Sequence, residues 1–280
     1  MTSAMLPLTG FVALFGVVLG LAIGSFLNVV VYRVPAGMSV VAPPSACPRC
    51  GRSIRGRDNV PVLSWILLRG RCRDCSGPIS ARYPLVETAT AVLFVVVAVR
   101  FLPAAGATGT ALAGHVVLLA ALLYLMAVSV ALTLIDVDTH TLPNRIVLPM
   151  YPVLAVLLTV SSALTGDWTA LLRAFGGLAV LGGVYLLLAL AVPRGMGFGD
   201  VKLAGALGLV LAYLGWGPLA VGAFGAFVLG GTFGIVLLAV RRAGRSTGMP
   251  FGPWMLLGAW VGAFSGGSIW DAYLRLLGLA

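Results

Sequence analysis

The chain reads as an all-α polytopic membrane protein with about eight transmembrane helices and one small polar loop domain. Three observations predict this. First, 60% of the 280 residues are of the hydrophobic set and only 9% are charged, whereas a soluble domain carries about 25% charged residues. A bilayer accommodates that much apolar surface because its interior is itself apolar. Second, the apolar residues fall into runs of spanning length. Third, the basic residues gather on one side of the topology those runs define.

A spanning helix needs about 20 apolar residues. Such runs lie at 11–32, 85–102, 115–135, 146–164, 171–192, 201–214, 220–240 and 251–270. The sixth is the shortest, and Gly205 and Gly208 interrupt it. Glycine is frequent, at 37 residues, which suits close helix packing in lipid. The organisation that follows is a first helix over 1–32, a polar loop domain over 33–83, and a membrane domain of seven helices over 84–280.

The formal net charge is +10, but the charges lie at the ends of apolar runs. They read as orientation signals in a membrane and not as a nucleic-acid surface. Residues 1–10 contain no Lys or Arg, and the first basic residue, Arg33, follows the first run. An uncleaved first helix is expected, with its N-terminus outside the cytoplasm. The inner loops then hold 15 basic residues: Arg33, Arg49, Arg52, Arg55, Arg57, Arg69, Arg71, Arg73, Arg82, Arg145, Arg194, Lys202, Arg241, Arg242 and Arg245. The outer side holds 3: Arg100, Arg173 and Arg275. Inner loops rich in Arg and Lys are the positive-inside pattern.

All four cysteines lie in the polar loop, as Cys47-Pro-Arg-Cys50 and Cys72-Arg-Asp-Cys75, with 21 residues between the pairs. Two thiolates at this spacing bind one metal from a tight knuckle, and two knuckles complete a tetrahedral site suited to Zn²⁺. Gly51 permits the first turn. The alternatives are two disulfides or four free thiols, which a cytoplasmic location disfavours in the disulfide case. Four thiolates leave no open position, so the zinc is expected to be structural. The same loop carries a short apolar stretch, Asn59-Val-Pro-Val-Leu-Ser-Trp65, that Pro61 and the flanking arginines keep from spanning.

Among 8 acidic residues, Asp136 and Asp138 end the third run, and Asp200 opens the sixth within Gly195-Met-Gly-Phe-Gly-Asp200. Ionisable groups at a membrane boundary are costly and mark function by default. Two carboxylates facing each other cannot both ionise easily, so one activates water while the other, protonated, polarises a carbonyl. The plainer readings are a solvated helix end for Asp136 and Asp138 and an N-cap for Asp200. Gly195, Gly197 and Gly199 allow close approach by a substrate backbone or a neighbouring helix. Lys202 is expected to ease the ionisation of Asp200. His140 reads as a polar boundary residue.

These residues resemble a known family. Gly197-Phe-Gly-Asp200 is similar to the GxGD motif of intramembrane aspartic peptidases. Gly24-Ser-Phe-Leu-Asn28 with Tyr32-Arg-Val-Pro35, the double CxxC loop with Pro61-Val-Leu-Ser-Trp65, Arg82-Tyr-Pro-Leu-Val-Glu87, Ile135-Asp136 with Leu142-Pro-Asn144, and Pro250-Phe-Gly-Pro253 resemble, in order, bacterial type IV prepilin peptidases. The resemblance implies a multi-pass protein of the bacterial cytoplasmic membrane. It implies an enzyme that cleaves the basic leader of prepilins or pseudopilins after a Gly at the cytoplasmic face, then N-methylates the new N-terminus with S-adenosylmethionine. It implies Asp136 and Asp200 as the catalytic pair, with Asp138 a rival for the first position. No glycine-rich nucleotide loop follows a strand, so the methyl-donor site has no assigned residues. The alternative function is a transporter or proton pathway with a zinc-stabilised loop.

Overall fold

The computed structural model describes residues 2–102, 108–192, 196–240 and 250–279. Gly195, Arg194, the inner loop with Arg241, Arg242 and Arg245, and the terminus at Ala280 lie outside the described residues. Among those described, the chain is helical: α1 (Thr2–Arg33), α2 (Leu63–Leu67), α3 (Arg82–Arg100), α4 (Gly109–Thr139), α5 (Asn144–Thr165), α6 (Trp168–Ala191), α7 (Phe198–Leu214), α8 (Trp216–Ala239) and α9 (Gly252–Leu276). The eight long helices fall on the eight apolar runs. In lipid this is required, because a spanning backbone must satisfy its own polar groups.

Six of the helices, α1, α3, α4, α5, α6 and α8, are long and apolar enough to cross a membrane by length and composition. The other two differ for separate reasons. α7 has 17 residues, about 26 Å at the helical rise, a little short of a hydrocarbon core. α9 has 25 residues but is rich in small residues and carries Asp271 and Arg275 near its end.

The chain divides into two compact units. In the first, residues 1–106 with 122–131, α1 packs along α3 at glycines. A Cβ on Gly20 would stand 2.5 Å from the Ala91 Cα, and one on Gly24 would stand 2.7 Å from the Glu87 Cα. Asn28 Nδ2 donates to the Tyr83 carbonyl at 3.2 Å. The buried Glu87 accepts from the Val62 N–H at 2.7 Å. Val62 has φ 60°, a conformation costly for a β-branched residue, and this bond holds it at the entry to α2. Trp65 donates its indole N–H to the Ile79 carbonyl at 3.1 Å, closing the stretch around α2 onto the second knuckle.

In the second unit, residues 107–121 with 132–280, α7 is the central helix. Every residue from Leu203 to Tyr213 is buried. Without a hydrophobic drive between helices in lipid, close backbone packing and interhelical hydrogen bonds must hold such a helix. Gly177 of α6 and Gly208 of α7 meet backbone to backbone, and Gly182 approaches Gly205. Tyr151 of α5 donates its hydroxyl to the Lys202 carbonyl at 2.5 Å, across the open face of Gly205. Arg173 of α6 donates to the Ala212 and Tyr213 carbonyls at 2.6 and 2.7 Å, satisfying carbonyls that a helix end leaves unpaired. Tyr213 donates to Ser161 at 3.1 Å, and Ser161 in turn donates to the Gly114 carbonyl at 2.9 Å. The expected interruption at Gly205 and Gly208 is therefore corrected. The helix runs through both glycines, which are contact points and not breaks.

Candidate active site

Asp136 lies in the last turn of α4, buried to 4% exposure. Its Oδ2 accepts from the Gly252 N–H, the first residue of α9, at 3.1 Å. α4 ends at His140, whose φ of 52° is left-handed and whose N–H closes on the Asp136 carbonyl at 2.8 Å. Two residues beyond Asp136 the helix has turned, and Asp138 is exposed. The structure thus separates the two rivals by burial.

Asp200 is the third residue of α7, not its N-cap. Gly197 holds the cap position, and Asp200 Oδ2 reaches back to the Gly197 N–H at 3.1 Å. A carboxylate in a first helical turn also meets the positive end of the helix dipole. Lys202 does not pair with Asp200 as expected; its Nζ donates to Asn144 Oδ1 at 3.0 Å. The helix turns the two side chains to different neighbours.

Leu142, in the turn between α4 and α5, fits against two glycines at once. A Cβ on Gly199 would stand 3.1 Å from Leu142 Cβ, and one on Gly252 would stand 3.1 Å from Leu142 Cδ2. The end of α4 and the starts of α7 and α9 are thereby gathered around one side chain. The Asp136 and Asp200 carboxylates lie near enough for their charges to act on each other. Each spends one oxygen on a backbone N–H.

Two residues of this neighbourhood were not singled out from the sequence. Gly252 entered only as part of the Pro250–Pro253 motif; a glycine opening a helix between Phe and Pro was the available signal. Tyr185 was passed over within an aliphatic run, Val184-Tyr-Leu-Leu-Leu188, where a lone phenol was the signal.

The four cysteines are brought together. Their sulfurs all lie within 4.8 Å of one another, and Cys47 and Cys75 Sγ are 3.9 Å apart. Four thiolates around one tetrahedral metal at about 2.3 Å would stand about 3.8 Å apart, so the donor set fits a metal ion. Each pair sits in a matching knuckle. Cys47 N–H bonds the Arg52 carbonyl and Gly51 N–H the Cys47 carbonyl, both at 2.9 Å; Cys72 N–H bonds Gly77 at 2.8 Å and Ser76 N–H bonds Cys72 at 2.9 Å. Gly51 has φ 70°, as the turn demanded, and Ser76 takes φ 55° in its place in the second knuckle. Arg52 and Arg55 both reach Asp74, at 3.3 and 3.0 Å, linking the knuckles.

Residues 18–101 match the bacterial peptidase A24 N-terminal domain, and residues 123–235 match the type IV leader peptidase family. Over 284 residues the chain is 38% identical to the prepilin leader peptidase/N-methyltransferase of Aeromonas salmonicida, covering 92% of each chain. The chain belongs to the type IV leader peptidase family. Proteins of the same description from Pseudomonas putida and Pseudomonas aeruginosa are 39% and 35% identical, with 93% and 94% of this chain covered and 93% of each relative. No solved structure matches the chain at a significant level. As a member of this family the protein is a peptidase, which sets aside the transporter reading. The leader peptidase match contains both Asp136 and Asp200, and the N-terminal match contains the four cysteines.

Proposed function

We propose that this leader peptidase is an aspartic endopeptidase of the bacterial inner membrane that cleaves the leader of type IV prepilins or pseudopilins after a Gly at the cytoplasmic face. The observation that carries the reading is that the helix ends bearing Asp136 and Asp200 meet around Leu142, with Gly252 bonded to Asp136. One carboxylate, ionised, takes a proton from water as its oxygen bonds the peptide carbonyl carbon. The other gives its proton to the carbonyl oxygen, forming a gem-diol. The C–N bond then breaks as the leaving amine takes the proton the first carboxylate holds and a gem-diol hydroxyl returns its proton to the second carboxylate. A basic leader stays in the cytoplasm while the apolar pilin helix enters the bilayer. The scissile bond then arrives at the depth of helix ends flanked by inner arginines.

The new N-terminus is then N-methylated, with S-adenosylmethionine supplying the methyl group. This half of the reading rests on the names of the relatives, and no step is routed through a residue here. The metal of the cysteine cluster is zinc, with a structural role: it ties the loop domain, too small to rely on its own core.

The test is co-expression with a prepilin and mass spectrometry of its N-terminus. Cleavage after Gly and a gain of one methyl group are expected with the native chain, and an intact leader with Asp136→Asn or Asp200→Asn. Normal cleavage by Asp200→Asn would end the aspartic reading.

A further inference from the structure

Tyr185 stands out as a buried polar side chain with no assigned work. It is 1% exposed, in an α6 run otherwise aliphatic.

Its position follows from helix register. α6 and α7 run antiparallel, with Gly177 at Gly208 and Gly182 at Gly205. One turn beyond Gly182, Tyr185 comes level with the first turn of α7, where Asp200 sits. The phenol and the Asp200 carboxylate are near enough to interact electrostatically. The ring is held by Phe227 of α8 at 5.5 Å and by Phe251 at 6.5 Å between centroids, and these two rings lie 5.5 Å from each other. Phe251 directly precedes Gly252, whose N–H binds Asp136. Tyr185 thus lies against Phe251, next to the backbone that holds one carboxylate, and level with the helix turn that carries the other.

A rigid donor beside a carboxylate pair is placed to serve an oxygen that gains charge during reaction. We propose that Tyr185 is a third catalytic residue, whose phenol O–H donates a hydrogen bond to the scissile carbonyl oxygen as it becomes the gem-diol. The proposal rests on the aspartic reading above. Tyr185 transfers no proton; the carboxylates exchange protons as described, and the phenol stabilises the oxygen between them.

The experiment compares Tyr185→Phe and Asp200→Asn in purified enzyme acting on a prepilin. Tyr185→Phe keeps the ring contacts and removes the hydroxyl. Its kcat should fall about 100-fold, the usual effect of losing one such donor, with KM and melting temperature little changed. Its affinity for a prepilin-derived difluoroketone, which hydrates to a gem-diol, should fall by a similar factor. A Tyr185→Phe enzyme with native kcat, beside an inactive Asp200→Asn, would overturn this proposal and leave the aspartic reading intact. A loss of kcat in Tyr185→Phe that comes with a lowered melting temperature and an unchanged affinity for the difluoroketone would also overturn it, by assigning the effect to packing. An active Asp200→Asn would remove the reading on which it rests.

Discussion

The N–H of Gly252 donates to Oδ2 of Asp136 at 3.1 Å, joining the first residue of α9 to the last turn of α4. A side chain at position 252 has no room, because its Cβ would stand 2.6 Å from that oxygen. Gly252→Ala should therefore push the carboxylate from its place. A displacement of about 1 Å costs on the order of 100-fold in rate, so prepilin cleavage should fall by at least that factor while the protein still reaches the membrane. Cleavage assays on matched amounts of membrane protein check this.

Asp136 and Asp138 part company in burial, and their substitutions should part in effect. Asp136→Asn should abolish cleavage, and Asp138→Asn should keep substantial activity. Asp200→Glu should also fail, since the added methylene carries the carboxylate away from the Gly197 N–H. An inactive Asp138→Asn beside an active Asp136→Asn would reassign the first member of the pair.

The cysteine cluster predicts one zinc per chain by metal analysis of freshly purified protein. Replacing any of Cys47, Cys50, Cys72 or Cys75 by Ser should lower zinc content and enzyme abundance. It should change kcat per folded molecule far less, because the thiolates take no part in the cleavage. Zinc-free protein with four intact thiols would reject the assignment.

Arg73 grips Asp58 with Nε and one terminal nitrogen, at 2.7 to 3.0 Å. That hydrogen bond, followed by the charges of Arg73 and its neighbours, holds the Asp58 carboxyl below its ordinary value. A lowered carboxyl stabilises the fold above its unfolded value, near 3.9, and the contribution fades as pH falls below that. Asp58→Asn should melt below the native protein at pH 7, and the gap should close as the buffer is taken from pH 4 toward 2.5. A gap that stays constant over that range would place the effect in packing instead of charge.

Gly205 and Tyr151 should couple. Gly205→Ala puts a methyl into the Tyr151 hydroxyl and should destabilise by about 1–3 kcal/mol, as overpacking does. In a Tyr151→Phe background the same change should cost less. Thermal melts of the four proteins in detergent give the coupling, and additive effects would reject the contact.

Much of this was legible in the sequence because a bilayer enforces simple rules. Apolar length gave the eight long helices, and doubled CxxC spacing gave the knuckles, down to the left-handed turn at Gly51. What was missed depends on rotation and depth. Spacing alone cannot tell that Asp136 turns inward and Asp138 outward, since both sit at the same boundary. Lys202 was paired with Asp200 on proximity in sequence, yet two residues along a helix point about 160° apart, and Asn144 was waiting on the other side. Gly205 and Gly208 looked like helix breakers because isolated glycine is a poor helix former; in a crowded bundle the missing Cβ is what lets α7 be central.

That central helix carries Asp200 in its first turn and is gripped by Arg173 at its far end, with no lipid-facing residue between Leu203 and Tyr213. It behaves as a pushrod. An enlarged side chain anywhere in that stretch has no solvent or lipid to escape into and must move the rod, carrying the carboxylate with it. A saturation-mutagenesis map of this enzyme would therefore paint the whole of that stretch as if it were chemistry. Sorting the true reactive positions from the mechanical ones will need measurements of fold and rate on the same variants.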